Sequence, residues 1–149
     1  MKPYFAYGAN LWRRQMEERC PEHKVLGAGV LTGYRWIVTT RGYGSVVRSG
    51  TDLVLGVVYA ISEADEERLD RFEGVGKGGY RKAVLPVDTE GGALACLVYV
   101  DPREQEGEPC EEYVQRIRCG IRDAGLPSLY VERYLDKITN WPEPYAHAG

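Results

Sequence analysis

The stretch Tyr4–Leu11, YFAYGANL, decides the fold. Strand-forming residues run to Tyr7, Gly8 breaks the chain, and Asn10 stands just before a helical pattern. With so little side chain at Gly8 and Ala9, main-chain N–H groups at the start of that helix are open to a carboxylate or a developing oxyanion. An ordinary turn that uses the glycine for an unusual dihedral fits the same letters. The loop by itself therefore supports two readings.

Outward from this junction, Asn10 suits an N-cap for a short helix, LWRRQMEERC, which Pro21 ends. Apolar segments at Val25–Leu31, Tyr34–Thr39, Ser45–Val47 and Leu53–Ile61 read as strands, and the glycines between them suit tight turns and bulges, so the sheet is expected to curve strongly. Ser62 and Asp65 form a capping-box variant that opens the helix SEADEERLDRFEG, closed by Gly74. Strands at Tyr80–Asp88 and Ala93–Val100 flank a glycine turn and predict a hairpin. In CEEYVQRIRCGIRDA, Tyr113, Ile117 and Ile121 recur at helical spacing, with Gly125 as C-cap; Pro127 then starts LPSLYVERYLDKI.

One acid breaks the pattern. Leu69 and Phe72 mark an inward stripe on the helix from Ser62, and Glu73, four after Leu69, stands where an apolar residue is due. Either Glu73 ends a frayed helix in water, pairing with Lys77 or Arg81, or the glycine-rich run GVGKGGY folds back to shelter it. Shelter would raise its pKa and suit it to proton transfer near neutral pH.

Composition narrows the remaining options. A chain of 149 residues suits one domain, taken as 1–149 with a tail at 140–149. A net charge of −3 lacks the positive field that nucleic acid or an acidic membrane requires, so neither is expected as a partner. The longest apolar run, Leu53–Ile61, is too short to cross a bilayer, and Met1-Lys2-Pro3 leads into a strand rather than a signal peptide, which predicts a cytoplasmic protein. Cys20, Cys96, Cys110 and Cys119 contain no C-x-x-C pair and read as reduced structural thiols. With only His23 and His147 as imidazoles, neither a metal site nor a histidine triad is expected, which leaves carboxylates, tyrosines and amides for any chemistry.

Four blocks in order, YFAYGANL, GVVYAI leading to LDRFEGV, Tyr80 seven residues after Glu73, and GLPSLYVERYL, together resemble the γ-glutamylcyclotransferase family across Tyr4 to about Leu135. The resemblance implies an α+β fold: a small, curved, mixed β-sheet or barrel flanked by helices. It also implies an enzyme without cofactor that cyclises the γ-glutamyl group of a small-molecule substrate to 5-oxoproline and releases an amine or amino acid, with homodimerisation left open. In that family the acid of the EGV block is catalytic, which maps onto Glu73. The first loop, usually Y-G-S-N, maps onto Tyr7, Gly8, Ala9 and Asn10, with Leu11 following, and the pocket tyrosines map onto Tyr80 and Tyr130. Ala9 departs from the usual serine: a main-chain contact survives the change and a hydroxyl contact does not. A non-catalytic module that binds the same group, or an enzyme that removes a γ-glutamyl protecting group, fits these blocks as well.

Overall fold

The computed structural model describes residues 1–142, and its framework is two long strands that the sequence reads as four. β1 covers Lys2–Ala6, β2 Lys24–Val38 and β3 Gly44–Ile61. β2 and β3 pair antiparallel along nearly their whole length, with register shifts between Val25 and Gly27 and between Thr32 and Tyr34. Gly27 (φ 134°) and Gly33 (φ 86°) occupy these shifts in a region that other L residues rarely adopt. Glycines expected to divide strands thus bend continuous ones, and the bends bring the sheet round on itself.

β4 (Arg81–Thr89) and β5 (Gly92–Val100) form the expected hairpin, from Arg81 opposite Val100 to Thr89 opposite Gly92. β1 completes the circuit, antiparallel to β3 and parallel to β5 at Tyr4 and Leu97, so the strand order β1-β3-β2-β4-β5 is a closed, mixed barrel flanked by helices. Closure leaves no sheet edge. Among the described residues no helix is long and apolar enough to cross a membrane.

β1 is buried on both faces. Phe5 and Tyr7 enter one core with Trp36, Val98, Tyr113 and Ile117, whereas Tyr4 and Ala6 enter another with Leu11, Met16, Tyr59 and Leu69. This is period-two alternation with an apolar destination on each side, which is why YFAY contains no polar residue at alternate positions. Complete burial of one such side chain, Phe5, contributes roughly 1.5–3 kcal/mol.

Helices cover the ends. A 3-10 turn at Ala9–Leu11 leads to α1 (Arg13–Arg19), and α2 covers Glu63–Phe72 with the capping box on Ser62 and Asp65 complete. α3 (Glu111–Ala124) ends on Gly125 in the left-handed conformation, followed by α4 (Ser128–Tyr134) and α5 (Asp136–Thr139). Three expectations change. Asn10 is not an N-cap; Trp12 holds that position without a side-chain bond, and the Asn10 amide turns inward to donate to the Tyr4 hydroxyl (2.8 Å) and accept from Gln15 (2.9 Å). Phe72 is 58% exposed rather than inward, under the Arg19 guanidinium. The last helix breaks at Leu135, and of the presumed tail, Trp141 packs on the core. Residues 143–149, with His147, lie outside the described residues.

α3 lies directly on the 3-10 turn. A Cβ at Gly120 would stand 2.8 Å from the Leu11 Cβ and 3.3 Å from the Gly8 carbonyl oxygen. Helix propensity alone would make Gly120→Ala stabilising by up to about 1 kcal/mol. The close approach reverses the sign: urea denaturation of Gly120→Ala is expected to show a loss of about 1–3 kcal/mol.

Candidate active site

A cavity of about 200 Å³ opens where the C-terminal end of β1, the 3-10 turn, the end of α2 and the first turns of α3 converge. Its size admits the headgroup of a small molecule rather than a whole drug-sized ligand. Tyr4, Tyr7 and the Gly8–Asn10 segment form one wall, Glu73 and Phe72 another, and Arg41, Tyr43 and Gly44 a third; Arg19, Tyr80, Tyr113 and Arg116 complete the lining.

Glu73 is the C-cap of α2. Immediately after it, Gly74 turns the chain at φ 66°, and the loop folds back so that the Gly79 N–H donates to the Gly74 carbonyl (3.1 Å) and the Tyr80 N–H to the Glu73 carbonyl (2.9 Å). The return path passes so near that a Cβ on Gly79 would lie 2.3 Å from the Glu73 oxygen. The side chain is left facing the cavity, only 16% exposed. Its ionic neighbour is neither Lys77 nor Arg81 but Arg19, 3.8 Å away, whose same nitrogen reaches the Asn10 side-chain oxygen at 3.4 Å.

Loss of water pushes the Glu73 carboxyl up to about 7, against the positive charges of Arg19 and Arg41, which pull it down. Burial wins over two guanidinium groups, so near neutral pH both protonation states are populated. Such a group can take a proton and return it.

The tyrosines build the walls. The Tyr7 hydroxyl donates to the Tyr99 carbonyl (2.6 Å), the Tyr80 hydroxyl to the Gly44 carbonyl (2.7 Å), and the Tyr59 hydroxyl to the Asn10 carbonyl (3.0 Å). Burial raises the pKa of Tyr4, Tyr7, Tyr80 and Tyr113, and the negative charge of Glu73 adds to each shift, so all four phenols are neutral at ordinary pH. The Tyr113 hydroxyl lies where side chains on the first turn and on β3 would begin: 2.8 Å from a Cβ built on Gly8 and 2.6 Å from one on Gly44. Gly8 is small because a phenol occupies its space. The N–H groups of Gly8, Ala9 and Asn10 have no acceptor among the described residues, as at the start of any helical turn.

Of the residues singled out from sequence, Glu73, Tyr7, Gly8, Ala9, Asn10 and Tyr80 meet at this cavity. Leu11 and Tyr130 do not. Leu11 is 2% exposed in the core beneath α3. Tyr130 sits on α4 against the far part of the barrel, where its hydroxyl accepts from the Leu55 N–H (3.2 Å) and its ring packs on Tyr134. Sequence reasoning missed Arg19, Arg41, Tyr43, Tyr113 and Arg116. Arg19 resembles any solvated helix residue, and Arg41 lies in a glycine loop without periodicity; Tyr113 is visible as a core position, which it also is. Among the described residues no group of three His, Cys, Asp or Glu side chains could hold a metal ion.

The sequence model of the AIG2-like family matches residues 53–134, which include Glu73, Tyr80 and Tyr113. The chain belongs to the AIG2-like family. Its relatives include the gamma-glutamylcyclotransferase of Mus musculus, 28% identical over 144 residues, covering 87% of this chain and 75% of that protein. A solved structure named gamma-glutamyl cyclotransferase matches with a TM-score of 0.81 at 25% identity, covering 97% of this chain and 90% of that one. The YkqA structure from Bacillus subtilis matches with a TM-score of 0.79, also at 25% identity, over 95% of this chain and 55% of that one. This chain thus shares its fold with both solved structures, and the cavity lies at the β1 end of the barrel.

The raised Glu73 pKa has a measurable effect on stability. An acid with a folded pKa near 7 and an ordinary value of 4.5 holds more proton in the folded state between those limits, so its contribution declines as pH rises through that window. Urea denaturation at pH 5 and pH 8 is expected to show the wild type losing up to about 3 kcal/mol relative to Glu73→Gln. A pH-independent difference between the two proteins would place the carboxyl in water.

Proposed function

We propose that this protein is a γ-glutamylcyclotransferase-type enzyme that converts a γ-glutamyl compound into 5-oxoproline and a free amine. The observation that carries the reading is Glu73: a sheltered carboxyl with a pKa about 7, facing a headgroup-sized cavity shared with the Gly8–Asn10 turn. The names of the mouse relative and of the matching structure support the same reaction class.

In this mechanism Glu73, as the carboxylate, removes a proton from the substrate's α-ammonium group. The freed amine attacks the γ-carbonyl carbon, forming the ring C–N bond. The oxyanion of the tetrahedral intermediate and the α-carboxylate are held by the main-chain N–H groups of Gly8, Ala9 and Asn10. Glu73, now the acid, protonates the departing nitrogen as its bond to the γ-carbon breaks; the regenerated carboxylate then takes the second proton from the ring nitrogen, leaving the neutral lactam, and passes it to the released amine, which departs as an ammonium ion. No water or cofactor enters this balance. Most of the rate advantage comes from holding the substrate folded, since a five-membered ring closes within one molecule. Tyr7 and Tyr80 shape the pocket as neutral phenols. Ala9 in place of the family's usual serine is compatible with a main-chain role for that position.

In this reading the leaving amine lies against the wall that Arg41 and Arg116 help to line. Two guanidinium groups favour a leaving amine that carries a carboxylate, as in a γ-glutamyl amino acid, and repel a polyamine.

A panel of γ-glutamyl amino acids, γ-glutamyl polyamines and glutathione, scored by 5-oxoproline release, tests the proposal. Turnover is expected with the amino-acid derivatives and is to fall by about 10²–10⁴-fold in Glu73→Gln. Thermal stabilisation by these ligands without product would instead identify a binding module, and unchanged turnover in the variant would remove Glu73 from the chemistry.

A further inference from the structure

Two parts of the cavity that matter for charge are built on separate segments. Arg41 belongs to the turn between β2 and β3, and Glu73 to the end of α2 with its glycine loop. Both segments are tied to one buried side chain at the end of β5, Asp101, which is 1% exposed.

Each carboxylate oxygen of Asp101 serves one segment. Oδ2 accepts from the Thr39 hydroxyl (3.1 Å) and from Arg41 Nη1 (3.4 Å). Thr39 in turn accepts from the Arg41 N–H (3.2 Å), so the turn that presents Arg41 is assembled on this acid. Oδ1 accepts from the Arg103 N–H (3.0 Å) and Arg103 Nη1 (2.9 Å). The other end of the same guanidinium donates to the Gly78 carbonyl (2.8 Å), inside the loop that folds back on Glu73. Arg41 then lies between two rings of the cavity wall, 5.6 Å from the centre of Tyr43 and 5.5 Å from that of Tyr80. Burial by itself would raise the Asp101 carboxyl, but the hydrogen bonds from Arg103 and Thr39 and the Arg103 charge outweigh it and hold it below its ordinary value. It is therefore charged whenever the cavity is in use.

We propose that Asp101 is a positioning residue, whose two oxygens hold Arg41 and, through Arg103, the glycine loop in a fixed spacing across the cavity. It touches neither Glu73 nor the cavity, and it acts through groups that do. The kinetic part of its test rests on the reaction proposed above; the spectroscopic part does not.

In the spectroscopic part, nitrogen NMR of the arginine side chains is compared between wild type and Asp101→Asn, which keeps the volume and removes the charge. Hindered rotation of the Arg41 guanidinium is expected in the wild type and free averaging in the variant; identical Arg41 signals would overturn the proposal. In the kinetic part, Asp101→Asn is expected to lower kcat/KM by roughly 10–100-fold. If it acts through Arg41, the double variant with Arg41→Ala loses no more than the worse single variant. Additive losses would mean that Asp101 and Arg41 act independently and would reject the positioning role. Should the wild type release no 5-oxoproline, the proposed reaction fails while the NMR comparison still decides the matter. Should Asp101→Asn not fold, Arg103→Ala cuts only the arm to Gly78. Amide exchange at Gly79 and Tyr80 is then expected to quicken, and unchanged exchange there would also overturn the proposal.

Discussion

Strand β1 is five residues long, yet it carries the parallel pair that closes the barrel, because its side chains find an apolar destination on both faces. That double burial fixes where the strand ends. The 3-10 turn that follows is pressed from outside by α3, with Gly120 against Leu11 and the Tyr113 hydroxyl in the space beside Gly8. A turn held in this way by packing keeps its first N–H groups in one direction without a side-chain cap of its own. The cavity exists because strand, turn and helix cannot approach any closer without removing one of these contacts.

Electrostatics at the cavity are a contest between water and cations. Arg19 and Arg41 both favour the charged form of Glu73, and the enclosure disfavours it more strongly. The neutral phenols around the acid contribute bulk and dipoles without adding charge. Arg19 also reaches Asn10, so one guanidinium spans the acid and the turn. Asp101 performs the corresponding task for Arg41 from the opposite side. Arg19 is thus shared between Glu73 and the turn, whereas Arg41 gives its hydrogen bond to Asp101 and acts on Glu73 through its charge alone.

Much of the fold was legible in local chemistry. The capping box at Ser62, the left-handed glycines at Gly74 and Gly125, and the β4–β5 hairpin follow from rules that act over a few residues. Strand continuity was not legible, since a glycine looks the same in a turn and in a bulge; long-range pairing of β2 with β3 settled which it was. Asn10 failed as a cap for a similar reason: the Tyr4 hydroxyl and Gln15 outbid the helix for its amide. Tyr130 shares its residue type with the cavity tyrosines but not its position, because α4 covers a different part of the barrel.

By itself the sequence determined that an acid, Glu73, stands one helical turn after Leu69 and directly before a glycine-rich run, that a side-chain-poor turn follows the first strand, and that the ordered blocks resemble one enzyme family. These are statements about residue type and spacing along the chain, which local structure preserves. Only the tertiary structure decided that the acid faces the turn, that Arg19, Arg41 and Tyr113 arrive from three other segments, and that Asp101 anchors two of the walls. Those arrangements depend on contacts between residues tens of positions apart, and no local propensity encodes which distant side chain fills the space beside a glycine.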